Sequence, residues 1–93
     1  MKTIYKYPVI NQIKLPKNAN ILYFGSDPHN GICFWAEVDT KEQEKEIYYI
    51  EAIGTGWPID NILKENFKYQ TTIQTTIKDD IYMWHIYMKK KGE

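Results

Sequence analysis

The amino-acid sequence predicts a mainly β domain, a small antiparallel β-sandwich or barrel of about six strands with at most one short helix. Two observations support this prediction. Apolar and polar residues alternate with a period of two through most of the chain, which is the pattern of half-buried strands. Tyrosine and isoleucine are abundant whereas leucine and alanine are scarce, and this composition favours strands over helices.

The length and the cysteine content indicate one small domain. The chain has 93 residues, which is at the lower end of what folds alone. Cys33 is its only cysteine, and a lone cysteine is typical of a reducing compartment. We predict a single domain over residues 1–88 and a flexible lysine-rich tail over residues 89–93. We also expect a homo-oligomer, because self-association is a common way for a small core to bury more surface.

The alternating pattern occurs in runs that are bounded by turn-forming residues. Pro8 makes the first run an edge strand, and residues 13–15 form only a short extended piece. The last two runs flank the tight turn Lys78-Asp79-Asp80 and form the most secure of the predicted hairpins. The predicted strands span residues 3–9, 13–15, 21–24, 32–38, 46–53, 68–77 and 81–88.

The segments between these strands contain the predicted turns and helix. Residues 25–31 are dense in turn formers and are expected to form the long loop of a hairpin. Residues 39–45 are charged and could form one helical turn, and residues 59–67 are predicted to form a short helix capped by Asp60. Both faces of the last strand are largely apolar, so we expect it to be central in its sheet or covered by a partner subunit.

Charge and composition argue against several functional classes. The lysines match the acidic residues in number, so the formal net charge is zero and gives no general attraction to nucleic acid or anionic membranes. Every basic residue is lysine, whereas arginine is the usual side chain for reading DNA sequence. No segment has the composition of a signal peptide or the length of a membrane span. We therefore expect a cytoplasmic protein without a membrane or nucleic-acid partner.

The loop Gly54-Thr55-Gly56-Trp57-Pro58 is the main candidate binding site. Its two glycines allow close approach to the backbone, and Thr55 adds a hydroxyl group. Trp57 offers a flat face on which a base or a sugar could stack. The simpler interpretation is a tight turn that leaves a strand, with Trp57 packed as a lid on the core. The spacing matches neither a Walker nor a Rossmann motif.

Other residues are weaker candidates. His85 lies on an apolar face, where a histidine is more often a hydrogen-bonded core residue than a ligand contact. Trp35 could line a second surface or fill the core. Ser26, Asp27 and His29 are too close together in one loop to form a hydrolytic triad. We predict no catalytic residue, metal site or cofactor, and a ligand-binding set of Gly54, Thr55, Gly56, Trp57, His85 and Trp35.

Several segments occur in an order that is typical of one family. They are Lys2-Thr3-Ile4-Tyr5-Lys6-Tyr7-Pro8, Leu15-Pro16 followed by Ala19-Asn20-Ile21-Leu22, Cys33-Phe34-Trp35-Ala36-Glu37-Val38-Asp39, Gly54-Thr55-Gly56-Trp57-Pro58-Ile59 and Trp84-His85-Ile86-Tyr87. In this order they resemble a family of short proteins of unassigned function that are encoded by bacteriophages and prophages. The lysine-rich end departs from the family, and residues 59–67 look longer than the corresponding segment. The resemblance implies a phage accessory protein that acts inside an infected bacterium by binding rather than by chemistry.

Two functional hypotheses remain open at this point. In the first, an oligomer sequesters a small anionic ligand such as a nucleotide immune signal. Backbone amides, Thr55 and lysines would hold its phosphate, and Trp57 or a tyrosine would stack on its base. In the second, the chain is a protein-binding inhibitor of a host defence protein or another host protein, and it uses a flat aromatic patch. An enzyme is least expected, because the sequence shows no evident nucleophile–base pair.

Overall fold

The computed structural model describes residues 1–29 and 31–93 and contains seven strands and one short helix. The mainly β, antiparallel fold predicted from the alternation is confirmed, with seven strands instead of about six. The strands are β1 (Lys2–Pro8), β2 (Gln12–Pro16), β3 (Asn20–Asp27), β4 (Gly31–Asp39), β5 (Lys45–Gly54), β6 (Lys68–Ile77) and β7 (Asp80–Lys90). The helix α1 (Asp60–Lys64) follows β5 in the chain.

The strands form two antiparallel sheets instead of a closed barrel. The three-stranded sheet has the order β1-β4-β3, and the four-stranded sheet has the order β2-β5-β7-β6. The last strand, β7, lies between β5 and β6, which confirms the central position expected from its two apolar faces. The predicted hairpin of the last two strands is also confirmed, with Ile77 opposite Asp80 at its turn.

The core lies between the two sheets and consists of alternate residues of the facing strands. Phe34 at the centre of β4 is fully buried, and its ring stacks on Tyr7 with centroids 5.3 Å apart. Phe24 approaches the same ring from β3 at 5.4 Å. Burying a side chain of this size contributes about 1.5–3 kcal/mol. The buried residues that form the core cluster are Ile13, Leu15, Phe34, Ala36, Val38, Ile50, Ile73, Ile86 and Met88.

The end of the chain is more ordered than the sequence suggested. Strand β7 continues to Lys90, so Lys89 and Lys90 are strand residues and not part of a flexible tail. The Lys89 ammonium lies 4.9 Å from the centroid of the Phe67 ring, and the Lys90 ammonium lies 3.1 Å from a Glu46 carboxylate oxygen. These partners are distant in sequence, which is why the local composition predicted fraying.

Three local predictions also differ from the structure. The helix has five residues and begins at Asp60, and Ile59 occupies the capping position without a side-chain hydrogen bond. Residues 40–44 form a turn and an irregular segment without a helical turn. Pro28 and His29 form a turn in the loop between β3 and β4, as their composition predicts. Asn30, which belongs to the same predicted loop, lies outside the described residues.

Candidate functional site

The candidate loop forms a tight turn at the end of β5. The backbone N–H of Trp57 donates to the carbonyl oxygen of Gly54 at 3.1 Å, which closes a four-residue turn. Gly56 occupies its third position with φ +90, whereas Thr55 before it does not have a positive φ. This combination defines a type II turn, in which glycine is favoured at the third position. The second glycine of the loop is therefore explained by backbone geometry.

The first glycine of the loop allows close packing of a tryptophan. A Cβ atom on Gly54 would lie 2.8 Å from Cε2 of Trp57, so the indole ring rests directly on the backbone. Trp57 and Trp84 pack in a T-shaped arrangement, with ring centroids 5.7 Å apart and planes inclined by 79°. Trp84 in turn stacks with Tyr82 at 6.3 Å, and its Nε1–H donates to the Thr75 hydroxyl at 2.9 Å.

These three rings form the aromatic cluster, defined as Trp57, Tyr82 and Trp84. Trp84 is half-buried and packs against the core, so it anchors the other two rings to the domain. Trp57 nevertheless keeps 55% of its surface exposed and Tyr82 keeps 41%. The tryptophan therefore does not act only as a lid on the core, because it is held in place while much of its surface remains open to solvent.

His85 lies on the opposite face of the four-stranded sheet, at the centre of a chain of hydroxyl groups. Its Nε2 lies 2.9 Å from Oγ1 of Thr55, and its Nδ1 lies 3.0 Å from Oγ1 of Thr72. The hydroxyl of Thr72 also lies 2.7 Å from the Tyr69 hydroxyl. A neutral imidazole donates from one nitrogen and accepts at the other, so this chain satisfies His85 in either tautomer. The ring is hydrogen-bonded as expected, but His85 is not a core residue, because it is only partly buried and lies on the face away from the core cluster.

The structure also brings together a hydroxyl and an imidazole that are thirty positions apart in the sequence. A hydroxyl beside a histidine is the geometry of an activated nucleophile, and sequence reasoning missed this pair. The other ring nitrogen of His85, Nδ1, lies beside the Thr72 hydroxyl. In a Ser-His-Asp triad this position is occupied by a carboxylate, which stabilises the imidazolium. Within the described residues, no three histidine, cysteine or acidic side chains are grouped so that they could hold a metal ion.

Comparison with protein families gives a match over the whole chain. A family described as a domain of unknown function, DUF7352, matches residues 1–93. The chain belongs to the DUF7352 family. Neither the curated proteins nor the solved structures contain a match to this DUF7352 chain. The part of the resemblance that this match confirms is that the full chain belongs to a family of unknown function.

The structure divides the predicted site residues, because Trp57 and His85 lie on opposite faces of the four-stranded sheet. Trp35 is separated from both. It belongs to β4 in the three-stranded sheet of the DUF7352 chain and packs against Tyr23 at 5.9 Å. Asp27, the last residue of β3, accepts a hydrogen bond from Lys6 at 2.6 Å and another from the backbone N–H of His29 at 2.8 Å. The hydrogen bond from Lys6 to Asp27 raises the pKa of Lys6 above its usual value. These contacts give Asp27 a structural role.

A groove that sequence reasoning did not predict opens between β3 and β6. It has a volume of about 550 Å³, and its lining includes Ile21, Tyr48, Lys68, Gln70, Met88 and Lys90. Burial raises the pKa of the Tyr48 hydroxyl at its wall. No local pattern could have revealed the groove, because its residues come from β3, β5, β6 and β7 and meet only when the sheets pack.

Within the described part of the chain, no helix has the length and apolar content of a membrane span.

Proposed function

We propose that this DUF7352 protein acts by non-catalytic binding and that its ligand stacks on the aromatic cluster of Trp57, Tyr82 and Trp84. The observation that carries the proposal is the state of Trp57, which is 55% exposed although Gly54 and Trp84 hold its ring in place. An exposed ring with a fixed orientation loses little conformational freedom when a flat ligand stacks on it, so such a contact favours binding.

A nucleotide-type ligand fits this surface better than a purely ionic one. Stacking of a base on an aromatic side chain contributes about 1–3 kcal/mol and tolerates different bases. In this proposal the cation for a phosphate group is Lys78, which lies in the turn between β6 and β7. Together with the phage resemblance, this favours a phage-encoded accessory protein that sequesters a nucleotide-type host immune signal as an oligomer.

The alternative is a protein-binding inhibitor that uses the same region. The observation that favours it is the set of exposed apolar side chains on the hairpin of β6 and β7, with Ile77 on the same face as the aromatic cluster and Ile81 and Met83 on the opposite face. Apolar and aromatic side chains that cluster on a surface often mark a protein contact. In this alternative Trp57 would be one anchor of a wider interface with a host defence protein or another host protein.

Titration of the purified protein with cyclic dinucleotides and ADP-ribose nucleotides, followed by calorimetry, tests the proposal directly. We expect saturable binding of at least one nucleotide, and at least a tenfold loss of affinity in Trp57→Ala, which corresponds to about 1.4 kcal/mol. The matched control is Trp35→Ala, which removes the same ring from the three-stranded sheet and should leave affinity unchanged. Chromatography of the recovered ligand checks that it is chemically intact.

Three results would count against the proposal. If no nucleotide binds, a protein partner becomes the better explanation of the exposed cluster. If Trp35→Ala weakens binding as much as Trp57→Ala, the ligand does not stack on the aromatic cluster. If the ligand is consumed and His85→Ala abolishes its turnover, the pair formed by Thr55 and His85 is catalytic and the protein is an enzyme.

A further inference from the structure

Strand β6 presents a long free edge with little protection against pairing. Within residues 1–29 and 31–93 it ends the four-stranded sheet, with β7 on one side and no strand on the other. A free edge offers unpaired N–H and C=O groups to another strand, and proteins usually protect such edges with charges, proline, bulges or short length. Strand β6 has ten residues, and residues 69–77 contain no charged residue, proline or glycine.

The other three strands at sheet edges are short or contain proline or an irregular register, whereas the one register shift of β6, between Tyr69 and Thr71, lies before residues 72–77. Strand β1 contains Lys6 and Pro8, and β2 has only five residues and ends at Pro16. The register of β3 shifts between Ile21 and Tyr23, which interrupts a regular edge. Proline removes a hydrogen-bond donor and a bulge bends the strand, so these three edges resist pairing with a further strand.

Only part of β6 is open to another strand. A groove of about 300 Å³ between β3 and β6 is lined by residues 21–24 together with Gln70 and Thr71, so the first half of β6 faces β3. Residues 73–77 extend past this region towards the hairpin turn. Ile77 is 57% exposed there, although it lies on the same face of the strand as Ile73, which is buried in the core.

We infer that residues 73–77 of β6 pair in antiparallel fashion with the same residues of a second copy of this chain, joining the two four-stranded sheets into one. A two-fold axis at Thr75 places Thr75 opposite itself and Ile73 opposite Ile77. In the same register Gln74 lies opposite Thr76. These are pairs of β-branched and polar residues that suit cross-strand contacts, and no like charges meet.

A second copy suits this edge because the segment is complementary to itself. Lys78 is the next charged residue along the chain, and in this register it lies opposite the uncharged Thr72 of the second copy. A stable interface buries about 800 Å² on each partner, which exceeds what five paired residues supply. The dimer is therefore expected to associate weakly and to dissociate on dilution, because β7 lies on the side of β6 away from the free edge.

Charge substitutions at the paired positions test the interface and its register. Gln74 and Thr76 are both exposed, and in the dimer each lies opposite the other residue of the second copy. The double variant Gln74→Lys/Thr76→Lys places lysine opposite lysine twice, and Gln74→Glu/Thr76→Glu does the same with acidic side chains. The variant Gln74→Lys/Thr76→Glu places opposite charges together at both positions. Gln12→Lys/Gln43→Lys adds two lysines at exposed positions outside β6 as a control.

Sedimentation and native mass spectrometry over a wide range of concentration provide the readout. At the highest concentrations we expect twice the chain mass of 11.1 kDa for the natural protein, for Gln74→Lys/Thr76→Glu and for the control. The two like-charge variants should sediment as monomers, and mixing them should restore a dimer that contains one copy of each. Recovery of the dimer on mixing also shows that both like-charge variants are folded.

A natural protein that is monomeric at every concentration would overturn the inference, and so would a like-charge variant that remains dimeric. Failure of the mixed variants to associate would overturn the proposed register. The inference rests on the strand edge and does not require the proposed ligand. The dimer can therefore be disproved while nucleotide binding stands, and nucleotide binding can be disproved while the dimer stands.

Discussion

At the scale of single residues, two glycines determine where aromatic rings can lie against the backbone. Gly54 accommodates Trp57 in the four-stranded sheet, and Gly25 accommodates Tyr23 and Trp35 in the three-stranded sheet. At both positions an added Cβ atom would come closer than 3.0 Å to a ring atom, at 2.8 Å for Gly54 and 2.6 Å for Gly25. The lack of a side chain thus lets these rings lie directly on the backbone at both positions.

Gly54→Ala should displace Trp57 from its place on β5. The new methyl group must push the indole ring away from the backbone and from Trp84, and overpacking of this kind costs about 1–3 kcal/mol. We expect a lower free energy of unfolding by urea and a changed near-ultraviolet circular dichroism spectrum. Gly25→Ala is the matched control, because it disturbs Tyr23 and Trp35 in the other sheet. Nucleotide affinity should fall only in Gly54→Ala, and an equal fall in both variants would contradict this assignment.

At the scale of elements, the helix segment depends on one aromatic side chain. None of the residues of α1 is buried, and a helix of five residues is too short to be stable alone. Phe67, just after the helix, is buried, and Lys89 lies over its ring while donating to the backbone oxygen of Glu65 at 2.8 Å. The segment is therefore held on the sheet by Phe67 and by a lysine from β7.

Phe67→Ala should release this segment from the sheet. Removing a buried phenylalanine costs about 3–5 kcal/mol, and amide hydrogens of residues 59–67 should exchange faster with solvent. Leu63→Ala is the control on the same element, because Leu63 is exposed and its loss should change stability by no more than about 0.5 kcal/mol. Equal effects of the two substitutions in urea unfolding would show that α1 packs differently.

At the scale of the whole molecule, Glu46 ties together three distant parts of the chain. Its carboxylate accepts a hydrogen bond from the backbone N–H of Asn18, in the connection between the two sheets, and pairs with Lys90 at the end of β7. The Asn18 hydrogen bond and then the Lys90 contact lower the pKa of Glu46 below its usual value of 4.5. The hydrogen bond with Glu46 likewise raises the pKa of Lys90.

Glu46→Gln should make the stability of the domain less sensitive to acid. Because the pKa of Glu46 is lower in the folded chain, its contribution is present above pH 4.5 and is lost as the pH falls through the lowered pKa. The urea midpoint of the natural protein should therefore fall more steeply in this range than that of the variant. Lys90→Met should show an intermediate slope, since the Asn18 hydrogen bond remains. Parallel pH profiles of all three proteins would contradict the assignment.

Much of the fold follows from local patterns in the sequence. The period of two determines which residues of each strand can share a face, and it correctly predicted the hairpin of β6 and β7 and the central place of β7. Turn-forming residues located the break at Gly54–Trp57. The backbone of glycine is unusually free and that of proline is restricted, and neither property depends on distant contacts. The short helix and the extended end of β7 were less accurately predicted, because Phe67, Lys89 and Lys90 obtain their partners from other elements.

The sequence by itself determined that the chain forms antiparallel strands, where they turn and which residues are apolar on each face, because side-chain alternation and turn geometry are local properties. Only the tertiary structure decided that Thr55 meets His85, that Trp57 rests on Gly54 beside Trp84, and that Trp35 lies in the other sheet. It also decided that β6, which is uncharged over residues 69–77, forms a sheet edge. Strand order and sheet packing arise from contacts between distant segments, and a local pattern contains no record of which strands become neighbours.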